Sequence, residues 1–264
     1  MNNMNKLPEN IKKYIEQKEF EKDNVGLSNS TIYIYNNMVL KIEDDISQTV
    51  ETVNVIKWLK GKLPVPNIIY HEIFENKSYL LMSKINGKMS CDDYYLDNSE
   101  LLLKLLGEAF NLLWNINIKD CPRIKDINSK LKEARIRVEN HLIDLKEFND
   151  NVGNTFKNPE ELLLWLEENK PEDNELVFSH GDFCLPNIFL KDDKITGFVD
   201  LGDSGICDKW YDIALCYKSL KNNFNGTFGG KIYPDFNPNK LFDVLNIQPD
   251  YKRINYYLLL EELF

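Results

Sequence analysis

The strongest constraint on this chain lies between residues 179 and 202, where two short apolar runs flank a polar stretch. The first run is Ile188-Phe189-Leu190, the polar stretch is Lys191-Asp192-Asp193-Lys194, and the second run is Ile195-Thr196-Gly197-Phe198-Val199. Apolar runs joined this way predict a tight hairpin. Asp182 and Asn187 precede its first strand, within Ser179-His180-Gly181-Asp182-Phe183-Cys184-Leu185-Pro186-Asn187, and Asp200 closes its second in Asp200-Leu201-Gly202. A hairpin returns the chain to the level from which it left, so these three polar side chains are expected at one mouth.

Two carboxylates and an amide brought together in this order have a chemical use. Hard Mg²⁺ prefers oxygen ligands, which Asp200 and the Asn187 amide oxygen provide. Asp182 is then free to accept a proton from a hydroxyl that attacks a phosphoryl group. The spacing Asp-x-x-x-x-Asn matches the kinase catalytic loop, and Asp200-Leu201-Gly202 stands where kinases carry Asp-Phe-Gly. The plain alternative is a surface hairpin with ordinary turn acids. His180 is expected to brace the loop by hydrogen bonds rather than to titrate. Lys41 interrupts the apolar run Met38-Val39-Leu40-Lys41-Ile42 and is read either as a phosphate ligand or as a solvated edge lysine. Gly26-Leu27-Ser28-Asn29-Ser30-Thr31 is read either as a plain loop or as a phosphate-covering turn to which Ser28 contributes its hydroxyl.

The rest of the chain divides by periodicity. An amphipathic helix is predicted over residues 9–20, followed by a hairpin of runs 31–35 and 38–42. A helix over 48–60, closed by Gly61, precedes strands at 68–74 and 78–83. After Ile85-Asn86-Gly87 the pattern turns helical: Leu102, Leu105, Leu106, Ala109, Phe110 and Leu113 recur at the spacing of a buried core helix. Further helices are predicted near 128–147, 159–169, 210–221 and 249–263, and a long Gly/Asn-rich loop over 222–238. The expected fold class is α+β, with a small β-rich lobe over 1–83, a hinge at 84–88 and a larger helical lobe over 89–264.

A net charge of −10 argues against nucleic acid as a partner and suits a cationic ligand. Five cysteines, widely spaced and never in a C-x-x-C pair, fit reduced thiols. The N-terminus lacks the apolar stretch of a signal peptide and no run is apolar enough for a membrane span, so a cytoplasmic protein is expected, as a monomer or weak dimer.

With these parts placed, the chain resembles the aminoglycoside 3′-phosphotransferases, a family built on the protein-kinase fold. The resemblance runs essentially end to end. It includes Gly61-Lys62-Leu63-Pro64-Val65-Pro66, Leu80-Leu81-Met82-Ser83, Glu175-Leu176-Val177-Phe178-Ser179-His180-Gly181-Asp182, Asp200-Leu201-Gly202, Asp208-Lys209-Trp210-Tyr211-Asp212-Ile213-Ala214 and the terminal Glu261-Glu262-Leu263-Phe264. It implies phosphoryl transfer from ATP or GTP, with Mg²⁺, to a hydroxyl of a cationic aminoglycoside, and hence resistance to these antibiotics. By that resemblance Asp182 is the catalytic base and meets the substrate, while Asn187 and Asp200 hold the metal. Ser28 and Lys41 attend the phosphates, and Met82, Ser83 and Ile85 line the adenine edge. Glu261, Glu262 and the Phe264 carboxylate bind amino groups of the drug.

Three positions depart from the family pattern. The ion-pair Glu that lies six residues before the helix Trp is Thr52 here, which leaves Glu51 as the candidate partner of Lys41, about 100° around the helix. The aromatic two residues before the phosphate Lys is Val39, and the position three residues after the metal Asp, commonly Arg, is Asp203. A kinase for another small hydroxylated molecule and a catalytically weak binding protein on the same fold are the alternative readings.

Overall fold

The computed structural model describes residues 7–22 and 30–264. In chain order the elements begin with α1 (Glu9–Ile15), β1 (Phe20–Lys22), β2 (Thr31–Tyr35), β3 (Met38–Glu43), α2 (Ile46–Leu59), β4 (Ile68–Phe74), β5 (Lys77–Ser83) and β6 (Lys88–Met89). They continue as α3 (Asp93–Asp97), α4 (Ser99–Trp114), α5 (Ile127–Glu139), α6 (Leu145–Val152), α7 (Pro159–Glu168) and β7 (Leu176–Ser179). The last are β8 (Ile188–Lys191), β9 (Lys194–Phe198), β10 (Gly205–Asp208), α8 (Lys209–Phe224), α9 (Lys240–Leu245) and α10 (Tyr251–Glu261). The chain forms two compact units: one takes the sequence up to Lys88 together with Phe189–Gly202, the other takes Met89–Ile188 and Asp203–Phe264.

The first unit is built on an antiparallel sheet in the order β1-β2-β3-β5-β4. Side chains alternate across a strand, so Met38 and Leu40 point to one face and Val39, Lys41 and Glu43 to the other. Ile11 and Ile15 of α1 pack with Leu40, Leu81 and Tyr35 in a buried cluster on the first face. The opposite face carries Lys41 and Glu43 among Ile32, Ile34, Val39, Leu80 and Met82. The register pairs Val39 with Met82 and Lys41 with Leu80, which puts Met82 on the Lys41 face. Two hairpin turns are made without glycine: Glu75 and Asn76 take φ of 47° and 59°, Asp192 and Asp193 take 49° and 56°. Consecutive positive φ values are what a two-residue turn needs to match the strand twist. Ile85 packs so closely on Gly197 that a Cβ there would lie within 2.7 Å of its side chain.

The second unit is mainly helical, as the periodicity after residue 87 predicts. Leu102, Leu106, Ala109, Phe110 and Leu113 of α4 are all buried. Phe110 stacks on Phe183 with ring centroids 4.1 Å apart and planes at 22°. Strands β7 and β10 form an antiparallel pair in which Gly205 faces Ser179. Helix α10 is held by two tyrosines, Tyr256 donating to the Leu166 carbonyl at 2.9 Å and Tyr257 to the Asp208 carboxylate at 2.7 Å. The five cysteines form no disulfide.

Two predicted helices are shorter than expected. The first ends at Ile15, Gln17 turns left-handed at φ 60°, and Phe20–Lys22 joins the sheet instead. Phe20 has its place there, its ring meeting Tyr33 edge-on at 5.2 Å. The span 128–147 is two helices, because His141 is left-handed and Asp144 starts a new helix by accepting from the N–H groups of Lys146 (2.9 Å) and Glu147 (3.1 Å). The Asn158-Pro159 start of α7 is as predicted, with Asn158 accepting from Glu161 N at 2.8 Å.

The Phe110–Phe183 stack joins the core helix to the segment that carries Asp182. Phe110→Ala is expected to destabilise the protein by about 3–5 kcal/mol and Phe110→Leu by much less, measured by urea unfolding.

Candidate active site

On the first unit, Lys41 stands on the sheet face opposite the Ile11–Leu40 cluster. Its side chain is 16% exposed, with Nζ 2.9 Å from Glu43 Oε1 and 3.2 Å from Asp200 Oδ1. Burial alone would lower this ammonium; the neighbouring charges of Asp200 and Glu43 outweigh it and hold the group above the usual lysine range. Asp200 follows β9 in the left-handed region at φ 56°. A non-glycine residue there costs on the order of 1 kcal/mol and persists where its surroundings demand it. Met82 and Ser83 end β5, and Ser83 pins the neighbouring segment by accepting from Asn67 N at 2.9 Å. Ile85 is half-buried against Gly197. Ser28 lies outside the described residues.

Glu51 is not the partner of Lys41. It is exposed on α2, whereas Thr52 turns inward and donates to the Gln48 carbonyl at 2.8 Å. One residue along a helix is a 100° rotation, and no bulge brings Glu51 round. The carboxylate that meets Lys41 from its own unit, besides Asp200, is Glu43, two residues along the same strand. Sequence reasoning passed over it, although two residues apart on a strand means the same face.

On the second unit, the loop after β7 is held from below. Asp212, fully buried in the first turn of α8, accepts from His180 N at 2.7 Å and from Gly181 N at 3.0 Å. Burial lifts this carboxyl above its usual range, while His180 and the N–H donors pull it down. Gly181 has φ 84° and packs its Cα against the Asp203 carbonyl, leaving no room for a side chain. Asp182 N donates to His180 Nδ1 at 3.3 Å, which agrees with the bracing role read for that histidine. Asn187 Nδ2 donates to Asp182 Oδ2 at 2.8 Å and to its carbonyl at 3.0 Å. Asn187 thus commits its amide N–H groups to Asp182, and the atom it has left is an oxygen. Ser219 and Ser90 fix the turn between them through the Leu185 N–H (3.0 Å) and carbonyl (2.8 Å).

The tail of the chain belongs to the same unit. Arg137 donates to the carbonyls of Leu263, at 2.9 Å, and of Phe264. Lys130, 1% exposed, donates to the Tyr211 hydroxyl at 2.6 Å, and Tyr211 in turn donates to Glu261. Burial raises the Glu261 carboxyl, Lys130 and Tyr211 oppose it, and the charges of Asp203 and Asp182 add to the rise. Glu262 accepts from Asn151 at 2.7 Å and lies 3.5 Å from Lys218. Asp203 forms an ion pair with Lys125 at 3.0 Å, and Lys125 reaches Glu133 at 2.9 Å. Burial alone would raise Asp203, but Lys130 and Lys125 hold it below the usual carboxylate range. Lys130 and Arg137, seven residues apart on one side of α5, were not legible as site residues because a lysine or arginine on a predicted helix ordinarily faces water.

The family model described as "Phosphotransferase enzyme family" matches residues 19–236. The aminoglycoside 3′-phosphotransferase of Enterococcus faecalis is 39% identical, over 96% of this chain and 97% of the relative. That of Staphylococcus aureus is 38% identical over 96% and 97%. Among solved structures, aminoglycoside phosphotransferase APH(3'')-Id of Streptomyces rimosus superposes with a TM-score of 0.81 at 20% identity, covering 100% of this chain and 99% of that one. The same enzyme in complex with ADP and streptomycin gives 0.75 over 96% and 95%. These structural matches establish the protein-kinase-like fold.

Asp212 accepts from the backbone N–H groups of His180 and Gly181, and Gly181 N also reaches the Ser179 hydroxyl at 3.1 Å. Asp212→Ala is expected to take this acceptor from the His180 N–H while Gly181 N keeps the Ser179 hydroxyl, destabilising the protein by about 1–3 kcal/mol. Chemical denaturation measures the loss, and Asp212→Asn, which can accept through one oxygen only, is expected to fall between wild type and Asp212→Ala.

Proposed function

We propose, from the premise that this chain belongs to the phosphotransferase enzyme family, that it transfers the terminal phosphoryl group of ATP or GTP to the 3′-hydroxyl of an aminoglycoside and so confers resistance. What carries the assignment of roles is the Asp182–Asn187 hydrogen bond at 2.8 Å, which orients a carboxylate and turns an amide oxygen to other use. The Lys41 face of the sheet takes the nucleotide, with Lys41 at the phosphates and Met82, Ser83 and Ile85 at the base. The residues up to 83 serve as the nucleotide lobe, 84–88 as the hinge, and the remainder supplies the base and the substrate groups.

The donors fit Mg²⁺: a carboxylate from Asp200 and an amide oxygen from Asn187 are hard oxygen ligands. When bound with the nucleotide, Mg²⁺ neutralises the triphosphate charge. Asp182 accepts the proton of the attacking hydroxyl as the new P–O bond forms and the bond to the leaving diphosphate breaks. Glu261, Glu262 and the end of the chain at Phe264 offer negative charge to the ammonium groups of the drug. Glu262 pairs with Lys218, which is 43% exposed, whereas Glu261 is held by buried Lys130 and Tyr211. Among the described residues no helix is long and apolar enough to cross a membrane. A cytoplasmic monomer or weak dimer is the accompanying proposal.

Incubating the protein with kanamycin and ATP or GTP, then locating the phosphate by ³¹P and ¹H NMR, tests the reading. A 3′-O-phosphate with stoichiometric nucleoside diphosphate is expected; phosphate at another position, or nucleotide hydrolysis without transfer, overturns it. Asp182→Ala is expected to lower turnover by about 10²- to 10⁴-fold with nucleotide affinity near wild type. Steady-state kinetics and nucleotide titration check both halves of that expectation.

A further inference from the structure

The family's helix glutamate is missing here, yet Lys41 is not left to Asp200 alone. We propose that Glu43, on the same strand as Lys41, is the positioning residue that aims this lysine at the nucleotide phosphates. The inference rests on the reading of Lys41 as a phosphate ligand.

The geometry that supports it is local and doubly anchored. Residues two apart on a strand share a face at a separation of about 6.5 Å, within reach of two long side chains. Glu43 Oε1 lies 2.9 Å from Lys41 Nζ, and its other oxygen lies 2.9 Å from the Thr49 hydroxyl in the first turns of α2. That hydroxyl also lies 2.8 Å from the Asp45 carbonyl and has one proton to give to either acceptor. Asp45 itself caps α2 by accepting from Gln48 N at 2.9 Å. Glu43 is therefore pinned between the strand and the start of the helix, and it is only 20% exposed. A freely solvated surface pair would lack both the second anchor and the burial.

Asp200 cannot do the same work throughout the cycle. If it takes up a metal with the nucleotide, its oxygens are shared with that cation, and its hold on Lys41 at 3.2 Å weakens. Glu43 has no such second duty. It keeps the ammonium fixed when Asp200 is engaged, so the lysine meets the phosphates already oriented. Moving the counterion from helix to strand also fits Thr52: a helix position relieved of the carboxylate can be filled by a small side chain bonded to its own backbone.

The test compares Glu43→Gln, Glu43→Asp, Glu51→Gln and Lys41→Met. Each is measured for nucleotide and aminoglycoside KM, kcat, and nucleotide binding by calorimetry without the drug. Glu43→Gln is expected to raise the nucleotide KM and Kd by about tenfold while the aminoglycoside KM stays within about twofold. Glu43→Asp should recover part of the loss, and Glu51→Gln should match wild type. If Lys41→Met weakens nucleotide binding but Glu43→Gln behaves as Glu51→Gln does, the inference about Glu43 fails and the reading of Lys41 stands. If Lys41→Met itself leaves nucleotide binding unchanged, the reading of Lys41 fails first.

Discussion

The second unit depends on one buried carboxylate. Asp212 stands in the first turn of α8 with no access to solvent and accepts from two consecutive backbone N–H groups, those of His180 and Gly181. Burying such a charge is unfavourable unless donors surround it, so the loop and the helix have to be placed together or not at all. Everything downstream follows from that clamp. Gly181 must be left-handed to pass the Asp203 carbonyl, His180 is locked so that its Nδ1 meets Asp182 N, and Asp182 arrives with its carboxylate against the Asn187 amide. Phe183 then turns down to stack on Phe110, tying the loop to the helical core.

The same unit handles its many charges by internal pairing. Asp203 is paired with Lys125, and the charges of Lys130 and Lys125 together hold its carboxyl down. Lys130, in a nearly dry position, also feeds the Tyr211–Glu261 bond and faces the Phe264 ring at 4.9 Å. Arg137 gathers the last carbonyls. The acidic tail is thus an organised end of the fold, in which one glutamate is locked by buried partners and the other is held by an exposed lysine.

Much of this was legible from residue order. The hairpins over 31–43, 68–83 and 188–198 follow from period-two alternation and polar turns, and α4 and α7 from apolar spacing and a capping asparagine. The Asp182, Asn187 and Asp200 pattern pointed to its chemistry because its members lie close in sequence around one hairpin. What escaped the reading needed tertiary information. The break between α5 and α6 turns on Asp144 preferring backbone N–H groups to the helix. The short strand β10 becomes a strand by pairing with β7. Lys130 and Arg137 are cations on a helix, and nothing local says that their side is buried. Glu43 is the instructive case: the strand spacing that relates it to Lys41 was visible, but only its anchor on Thr49 separates it from any other surface acid.

The first unit is discontinuous in sequence, and this has a consequence for biosynthesis. Its five-stranded sheet is complete once Ser83 has been made, but the 189–202 segment that finishes the unit comes much later. Until then Pro64 lacks the Phe198 N–H that it accepts at 2.9 Å, Ile85 lacks the flat surface of Gly197, and Lys41 lacks Asp200. At ribosomal rates of about 5–20 residues per second, the interval is on the order of ten seconds. During it Lys41 on the nascent sheet has Glu43 beside it and not yet Asp200. A growing chain therefore cannot complete the surroundings of Lys41 before residues 89–188 of the helical unit have been translated, and a stalled or truncated product would carry the lysine without Asp200.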